Sequence, residues 1–282
     1  MTISKRRIDH LVLAVQDLDA AGAFYERLGF QVGARNRHPW GTENRIVQFR
    51  SSFLELITVG EDRALIPPHA NRHFSFGAFV RDYLENRQGL AMFVLDSADA
   101  EADAAHFARA RIGDYEPFFF ERKGRRPDGS EARVAFTLAF SMAPDLPEVS
   151  FFTCQQHYPE AFWNPSFQIH ANGASNVRSV TLNEGETGSH TDFLSSFTGA
   201  EPLNGGRCFP LLNGGRLDRV TCAGPRGLTS FSVGVPELGG LAECLQAEHI
   251  PFEMRSDRIS IDSEAGFGVA IEFEVDGPEF VS

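Results

Sequence analysis

The chain has 282 residues, a formal net charge of −12 and four cysteines, and 42% of its residues are hydrophobic. A chain of this length can form one or two domains with a sizeable core. Its 38 acidic residues against 26 basic ones argue against nucleic acid as a primary partner, because that binding needs clustered Lys and Arg. The one basic cluster, at 122–126, runs into Pro127, Asp128 and Gly129, and we interpret it as a hairpin tip.

The sequence also lacks signals for a membrane or a secretory route. No stretch approaches the ~18 apolar residues that span a bilayer, and acidic residues interrupt the apolar segment after residue 7. The cysteines have no Cys-x-x-Cys spacing, so neither a disulfide framework nor a thiolate zinc site is indicated; they are Cys154, Cys208, Cys222 and Cys244. We therefore expect a cytoplasmic protein without membrane partners.

Taken in chain order, the elements repeat one arrangement. The segment 8–15 (IDHLVLAV) predicts a strand, apolar spacing from 18 to 28 predicts a helix, and 45–49 and 53–59 predict two more strands. Three further units begin with strand-like segments, each followed by a helical segment and then by further strands; these segments start at Gly89, Val177 and Leu228.

Each unit leaves an apolar sheet face uncovered, so the units are expected to pair. We predict an α+β fold of four βαβββ modules, paired into two domains with curled, mostly antiparallel sheets. The predicted domains are residues 1–175 and 176–282, joined near the segment NGASN at 172–176.

Two polar residues stand out within apolar strands. His10 alternates with Ile8, Val12 and Ala14, and Glu55 stands in the strand FLELITV, so both are expected inside the domain. A buried carboxylate must be paired, hydrogen-bonded or bound to a metal. The two residues could form half of a His/carboxylate metal site, or a buried hydrogen bond with each other or with the backbone.

Longer motifs point to a known family. The opening IDHLVLAVQDLDAAGAFYERLGF and the strand SFLELITV resemble the vicinal oxygen chelate superfamily, which includes glyoxalase I, extradiol dioxygenases and bleomycin-resistance proteins. HPWGTENR, followed by FLELI and TCQQHYPEAFWNPSFQIHANGA, is similar to the glyoxalase-like domain family, often called glyoxalase 3-like, over residues 8–180.

The resemblance implies metal ligands on the first and last strands of paired modules. His10 matches the first-strand ligand and Glu55 the last-strand acid, but the second module has Met92 and Thr153 at the matching places. His157, four residues after Thr153, is either a displaced third ligand or a polar group of the pocket. The ligand set is therefore incomplete, and the expected cofactor is a divalent ion of Zn, Mn, Fe, Ni or Mg.

Other residues are candidates for substrate binding. The loop 38–44 carries Trp40, Thr42 and Asn44, which could orient a small molecule, although Trp40 could equally be a packing plug in a turn. Phe152 could form part of an apolar cavity wall.

The hypothesis that follows is a glyoxalase-like enzyme, a divalent-metal-dependent isomerase or lyase acting on a small oxygenated metabolite. In it, His10, Glu55 and His157 hold the metal, and Glu55 and His157 also carry the chemistry. Alternatives are a small-molecule sequestering protein of the bleomycin-resistance type and an extradiol-type dioxygenase. The C-terminal module pair is expected to be a scaffold without a metal, and the protein to be a monomer or a homodimer.

Overall fold

The chain folds into two curled sheets with helices packed on them, in a computed structural model that describes residues 4–125, 131–186 and 188–277. The strands are β1 (Ile8–Ala14), β2 (Asn36–Arg37), β3 (Thr42–Gln48), β4 (Phe53–Val59), β5 (Gly89–Asp96), β6 (Phe118–Arg125), β7 (Glu131–Ser141), β8 (Ser150–Gln156), β9 (Val177–Asn183), β10 (Cys208–Pro210), β11 (Arg216–Val220), β12 (Gly227–Val235), β13 (Glu253–Met254), β14 (Arg258–Ile261) and β15 (Ala270–Val275). The α-helices are α1 (Leu18–Arg27), α2 (Phe76–Asn86), α3 (Ala100–Ala110), α4 (Pro159–Phe162), α5 (Thr191–Thr198) and α6 (Gly239–Ala247).

The sheet topology confirms the predicted fold class. The first sheet has the order β2-β3-β4-β1-β5-β8-β7-β6, and the second has the order β10-β11-β9-β12-β15-β14-β13. In each module the first strand pairs in parallel with the last, and the other pairings are antiparallel. The predicted turn at 127–129 lies outside the described residues.

A β-bulge lies at the start of β1 and sets the direction of its side chains. Ile8 pairs with Leu95 and His10 with Val94, so Asp9 is an extra residue without a counterpart on β5. Because a bulge breaks the alternation of a strand, Ile8 packs in the core behind the sheet, whereas His10 and Val12 face the inner side. The predicted shared face of His10 with Ile8 is therefore wrong, although Val12 and Ala14 do lie on the inner side.

The same bulge recurs at Ala91, Arg178 and Thr229, which relates the four modules residue by residue. The positions that correspond to His10, directly after each bulge, are Met92, Ser179 and Ser230. The positions that correspond to Glu55 on the last strands are Phe152, Asp218 and Glu272.

This register corrects one alignment made from the sequence. Phe152, not Thr153, corresponds to Glu55, and the side chain of Thr153 instead donates to Asp103 Oδ2 at 2.8 Å. Side chains of a strand alternate between its two faces, so a shift of the alignment by one residue moves every side chain to the other face. With the correct register, Cys154 lies with Phe152 on the inner side.

Two apolar cores flank the first sheet. One joins the helix-bearing faces of both sheets and includes Leu11, Phe93, Phe197 and Phe231. The other fills the inner side of the first sheet, where α2 covers it with Phe76, Val80 and Leu84. Apolar spacing at Phe76, Val80 and Leu84 was visible in the sequence, but α2 belongs to no βαβββ module and was not predicted. Among the described helices, none has the length and apolar character to cross a bilayer.

A buried ion pair joins the N-terminal segment to α3. Arg6 Nη1 donates to Asp103 Oδ2 at 3.0 Å, and the same carboxylate accepts from Ser97 Oγ at 2.6 Å and from Thr153 Oγ1. Both Arg6 and Asp103 are buried. Removing one partner leaves the other charge buried and unpaired.

We expect Asp103→Ala to lower the free energy of unfolding by about 3–5 kcal/mol, because Arg6 loses its counter-charge. Chemical denaturation followed by circular dichroism measures this loss. Glu101→Ala, at an exposed position of the same helix, is the control and should change stability by less than about 0.5 kcal/mol. Equal effects of the two substitutions would contradict a special role for the pair.

Candidate functional site

A cavity of about 50 Å³ lies on the inner side of the first sheet, beneath α2. It has room for only a few water molecules. Its lining is mostly aromatic and aliphatic, with a few polar groups: His10, His38, Trp40, Asn44, Ile46, Phe53, Glu55, Phe76, Phe120, Arg122, Phe136, Leu138, Phe152, Cys154 and Phe162. A concave, apolar site with a few convergent polar groups is typical of small-molecule binding.

Glu55 is the buried carboxylate of this cavity, and its partner comes from β3. Asn44 Nδ2 donates to Glu55 Oε1, and Asn36 Nδ2 in turn donates to Asn44 Oδ1 at 3.2 Å. Glu55 Oε1 lies 3.9 Å from His38 Nε2. The hydrogen bond from Asn44 gives the carboxylate a fixed orientation, and Glu55 stays 6% exposed.

His38 faces Glu55 as a neutral imidazole. Its Nδ1 lies 2.8 Å from Thr42 Oγ1, and Asn44 Nδ2 points at its Nε2 from 3.4 Å. Because an amide NH₂ can only donate, this arrangement leaves Nε2 as the lone-pair nitrogen. Burial lowers the pKa of His38, against an opposite effect of the Glu55 charge.

One cation completes the polar part of the cavity. Burial lowers the pKa of Arg122, and Glu55 acts in the opposite direction. An arginine remains charged at neutral pH even so. The cavity therefore holds a carboxylate, a guanidinium and a neutral imidazole against aromatic walls.

Trp40 contributes an unused hydrogen-bond donor. Its ring stacks on His38 with centroids 4.6 Å apart and meets Phe120 edge-on at 5.0 Å. Its Nε1 is buried and has no hydrogen-bond partner among the described residues. Since a buried N–H without a partner is unfavourable, this group is suited to donate to a ligand oxygen.

A second polar cluster lies beside the cavity, formed by β1 and β8, which flank β5 on its two sides. Asp9 Oδ1 lies 2.6 Å from His10 Nδ1, and Gln156 Nε2 donates to Asp9 Oδ2 at 2.8 Å. Cys154 Sγ lies within 4.8 Å of the ligand atoms of Asp9 and His10, and burial is the main cause that raises the pKa of its thiol. The ring of His10 stacks on Phe53 with centroids 4.2 Å apart.

The structure brings together most, though not all, of the predicted site residues. His10, Trp40, Asn44, Glu55 and Phe152 all line the cavity. Thr42 is buried behind the lining, where it holds His38.

His157 lies away from the cavity. It is exposed, its Nε2 lies 2.7 Å from Thr137 Oγ1, and its ring contacts Phe119. It therefore does not join His10 and Glu55.

Sequence reasoning missed four polar residues of the site, and each miss has a traceable cause. Asp9 and Cys154 reach the inner side only through the bulge and the true register of β8. Arg122 belongs to the basic cluster that the sequence predicts as a hairpin tip. His38 lies in the segment HPWGTEN, in which Trp40, Thr42 and Asn44 are the residues predicted to bind substrate.

Comparison with models of protein families identifies the family to which this chain belongs. The model of the family described as "Glyoxalase-like domain" matches residues 8–197, more than half of the chain. The chain belongs to the glyoxalase-like domain family. The match extends past residue 175, so the predicted domain boundary stays a prediction. A search of curated proteins finds no match.

Solved structures share the fold at low identity. A hypothetical protein from Staphylococcus aureus superposes with a TM-score of 0.65 at 13% identity, covering 96% of this chain and 100% of its own. A triple mutant of 4-hydroxymandelate synthase from Streptomyces coelicolor gives a TM-score of 0.58 at 12% identity, covering 98% of this chain and 95% of its own. A xylose isomerase-like TIM barrel/4-hydroxyphenylpyruvate dioxygenase fusion protein gives 0.57 at 14%, covering 99% of this chain and 50% of its own.

The residues at the superfamily's metal positions do not form its ligand set. His10 and Glu55 occupy two of the four positions in the first sheet, but Met92 and Phe152 occupy the other two. Phe152 offers no donor atom, and a thioether is a soft ligand that suits few divalent ions. In the second sheet, the corresponding acids are engaged by arginines, Asp218 by Arg216 at 2.8 Å and Glu272 by Arg258 at 2.9 Å.

The lowered pKa of His38 predicts an acid sensitivity of the fold. The folded state holds this ring neutral, whereas the unfolded chain binds the proton with the ordinary pKa of 6.5. The contribution to stability is thus complete above pH 6.5 and is lost as the pH falls below it toward the folded-state pKa. We expect His38→Gln to make the fall in unfolding free energy between pH 6.5 and acidic pH shallower, as measured by urea denaturation.

The control for this substitution is His73→Gln, since the His73 side chain is 63% exposed. It should leave the slope unchanged. A slope that is the same in the wild type and in His38→Gln would show that other groups govern the acid response.

Proposed function

We propose that this protein is an enzyme that moves a proton on a small oxygen-bearing metabolite, as an isomerase or a lyase of the glyoxalase-like family. The observation that carries the proposal is a buried carboxylate, Glu55, on an aromatic cavity that a guanidinium and the indole ring of Trp40 also line. Groups of this kind can take a proton and stabilise the negative charge that results.

The proposed reaction begins at a carbon next to a carbonyl group. Glu55 takes the proton, and the electron pair of the C–H bond moves onto the carbonyl oxygen to give an enolate. Arg122 and the N–H of Trp40 stabilise that oxygen. For a 2-hydroxy ketone, the proton of the α-hydroxyl group moves to the enolate oxygen and Glu55 returns its proton to the former carbonyl carbon, which completes an isomerisation. Alternatively, the carbonyl re-forms while a leaving group departs with its electron pair from the carbon on the far side of the deprotonated carbon, which completes an elimination.

Asn44 and His38 are positioning residues in this scheme. Asn44 uses its amide to orient the Glu55 carboxylate, and Thr42 orients the His38 ring. A neutral His38 does not neutralise the carboxylate, so Glu55 keeps its capacity to accept a proton. Holding the base in one orientation reduces the entropy that the reaction must otherwise lose.

The size and lining of the cavity limit the substrate. A cavity of about 50 Å³ restricts the substrate to a molecule of a few heavy atoms, and aromatic walls favour an apolar group beside the carbonyl. One structural relative includes a dioxygenase named for 4-hydroxyphenylpyruvate, a 2-oxo acid, so 2-oxo acids belong in the substrate panel. The carboxylate of such an acid would be attracted by Arg122.

The first test follows deuterium exchange. Short 2-oxo acids and 2-hydroxy ketones of increasing size are incubated with the protein in D₂O, and loss of the C–H signal next to the carbonyl is measured by proton NMR. We expect Glu55→Gln to slow the exchange by about 10²–10⁴-fold, since the amide cannot take the proton. Glu85→Gln, at an exposed position on α2, is the matched control and should exchange like the wild type.

Binding without exchange would instead favour a sequestering protein, the alternative in which the same cavity holds a ligand without chemistry. Binding is followed by quenching of tryptophan fluorescence, because Trp40 lines the cavity. Exchange that survives in Glu55→Gln would remove Glu55 from the role of base.

The indole N–H gives a separate prediction. Trp40→Phe keeps an aromatic ring but removes the donor, so we expect the exchange rate at saturation to fall by about 10²-fold with little change in KM. Trp163→Phe is the control, since Trp163 contacts Phe53 but does not line the cavity. A higher KM with an unchanged rate would mean that Trp40 only binds the substrate.

A further inference from the structure

We propose that Asp9, His10 and Cys154 form a zinc site beside the cavity, distinct from the ligand positions of the superfamily. Among the described residues, this is the one group of three His, Cys, Asp or Glu side chains whose candidate ligand atoms all lie within 4.8 Å of one another. It shares His10 with the superfamily positions and excludes Glu55.

The donor types fit zinc. Thiolate, imidazole and carboxylate are the three kinds of side chain that bind Zn²⁺, with bonds of about 2.0–2.3 Å, so ligand atoms around one ion lie about 3–4 Å apart. All three residues are buried, and they come from two strands that both flank β5. A thiolate in the set favours zinc over magnesium or manganese.

The surroundings hold the donors in place. Gln156 fixes the second carboxylate oxygen of Asp9, and the stacked ring of Phe53 fixes the plane of His10. Fixed ligands of this kind are a feature of protein metal sites, where neighbouring groups orient the first ligands. The bulge at Asp9 is what allows two adjacent residues of one strand to contribute together.

The proton balance of binding is defined. Asp9 now accepts a hydrogen bond from His10 Nδ1, and Cys154 carries a thiol proton, so zinc would take the place of these two protons. The thiol proton leaves to solvent, and the imidazole proton moves to Nε2 if Nδ1 is the ligand. Binding thus releases one proton per zinc ion near neutral pH.

Three protein ligands leave one position of a tetrahedral zinc for water or a substrate oxygen. His10 and Cys154 both line the cavity, so that position is accessible from it. The site does not depend on the proposed proton transfer, because its test reads metal binding rather than activity.

The test uses the full chain, stripped with a chelator and titrated with Zn²⁺. We expect about one zinc ion per chain by mass spectrometry, with one proton released in a weakly buffered titration. X-ray absorption at the zinc edge should show one sulfur among the ligands. This last measurement is made on the wild type, so it stands even if a variant does not fold.

Variants then assign the ligands. Cys154→Ser and Asp9→Asn should lose stoichiometric zinc, whereas Cys222→Ser, at an exposed cysteine, and Glu55→Gln should retain it. With Co²⁺ in place of zinc, the thiolate-to-cobalt absorption band should be present in the wild type and absent in Cys154→Ser.

Three results would overturn the proposal. A wild type that takes up no zinc would show that Asp9 serves only as a buried hydrogen-bond acceptor. A zinc spectrum without sulfur, or zinc lost in Glu55→Gln and kept in Cys154→Ser, would place the metal between His10 and Glu55 instead.

Discussion

A single extra residue in β1 governs the chemistry of the inner side of the first sheet. Because of the bulge at Asp9, the side chain of Ile8 points into the core behind the sheet, and the consecutive polar residues Asp9 and His10 both lie on the side of the cavity. A regular strand would have alternated them, sending one of the two away from Cys154. The buried carboxylate of Asp9 is tolerated because His10 and Gln156 both donate to it. Without the bulge, the Asp9 side chain would point to the opposite side of the sheet and the cluster around it would not form.

The cavity separates two polar groupings with different electrostatic character. Around Glu55, burial keeps His38 neutral, so the carboxylate is opposed chiefly by the cation Arg122. Around Asp9, the carboxylate accepts hydrogen bonds from His10 and Gln156. We propose proton transfer at Glu55 and metal binding at Asp9, so the two functions would use different carboxylates of the same sheet.

The sequence was most informative where patterns are regular. Apolar runs predicted the strands of all four modules, and the isolated polar residues His10 and Glu55 correctly indicated the interior. Predictions from the two-residue alternation of strands were wrong at Asp9, where a bulge interrupts the alternation. They were also wrong in β8, whose register relative to the other strands could not be read from the sequence. The alignment that put Thr153 in the place of Phe152 also led to the prediction of His157 as a site residue, although His157 is exposed.

Long-range geometry was beyond the reach of the sequence. Arg122 enters the cavity because the β6–β7 hairpin curls over the inner side, and no local pattern distinguishes it from the other arginines of its cluster. The helix α2 had the spacing of an amphipathic helix but stands outside the module arrangement, so its role in covering the cavity could not be inferred. Thr42 illustrates a finer limit, since its residue type fitted a substrate contact, yet it supports a neighbouring histidine instead.

The bulge occurs once in each of the four modules, and this repetition affects which substitutions could create a new set of metal ligands. Because Met92 stands in the same backbone setting as His10, and Phe152 in that of Glu55, the scaffold already provides the geometry for side chains it does not carry. Replacing Met92 by His and Phe152 by Glu would give the first sheet two His/Glu pairs at equivalent backbone positions, with no change in its strands. The repetition of one module thus provides equivalent backbone positions, and a change in the set of candidate ligands requires two substitutions rather than a new fold.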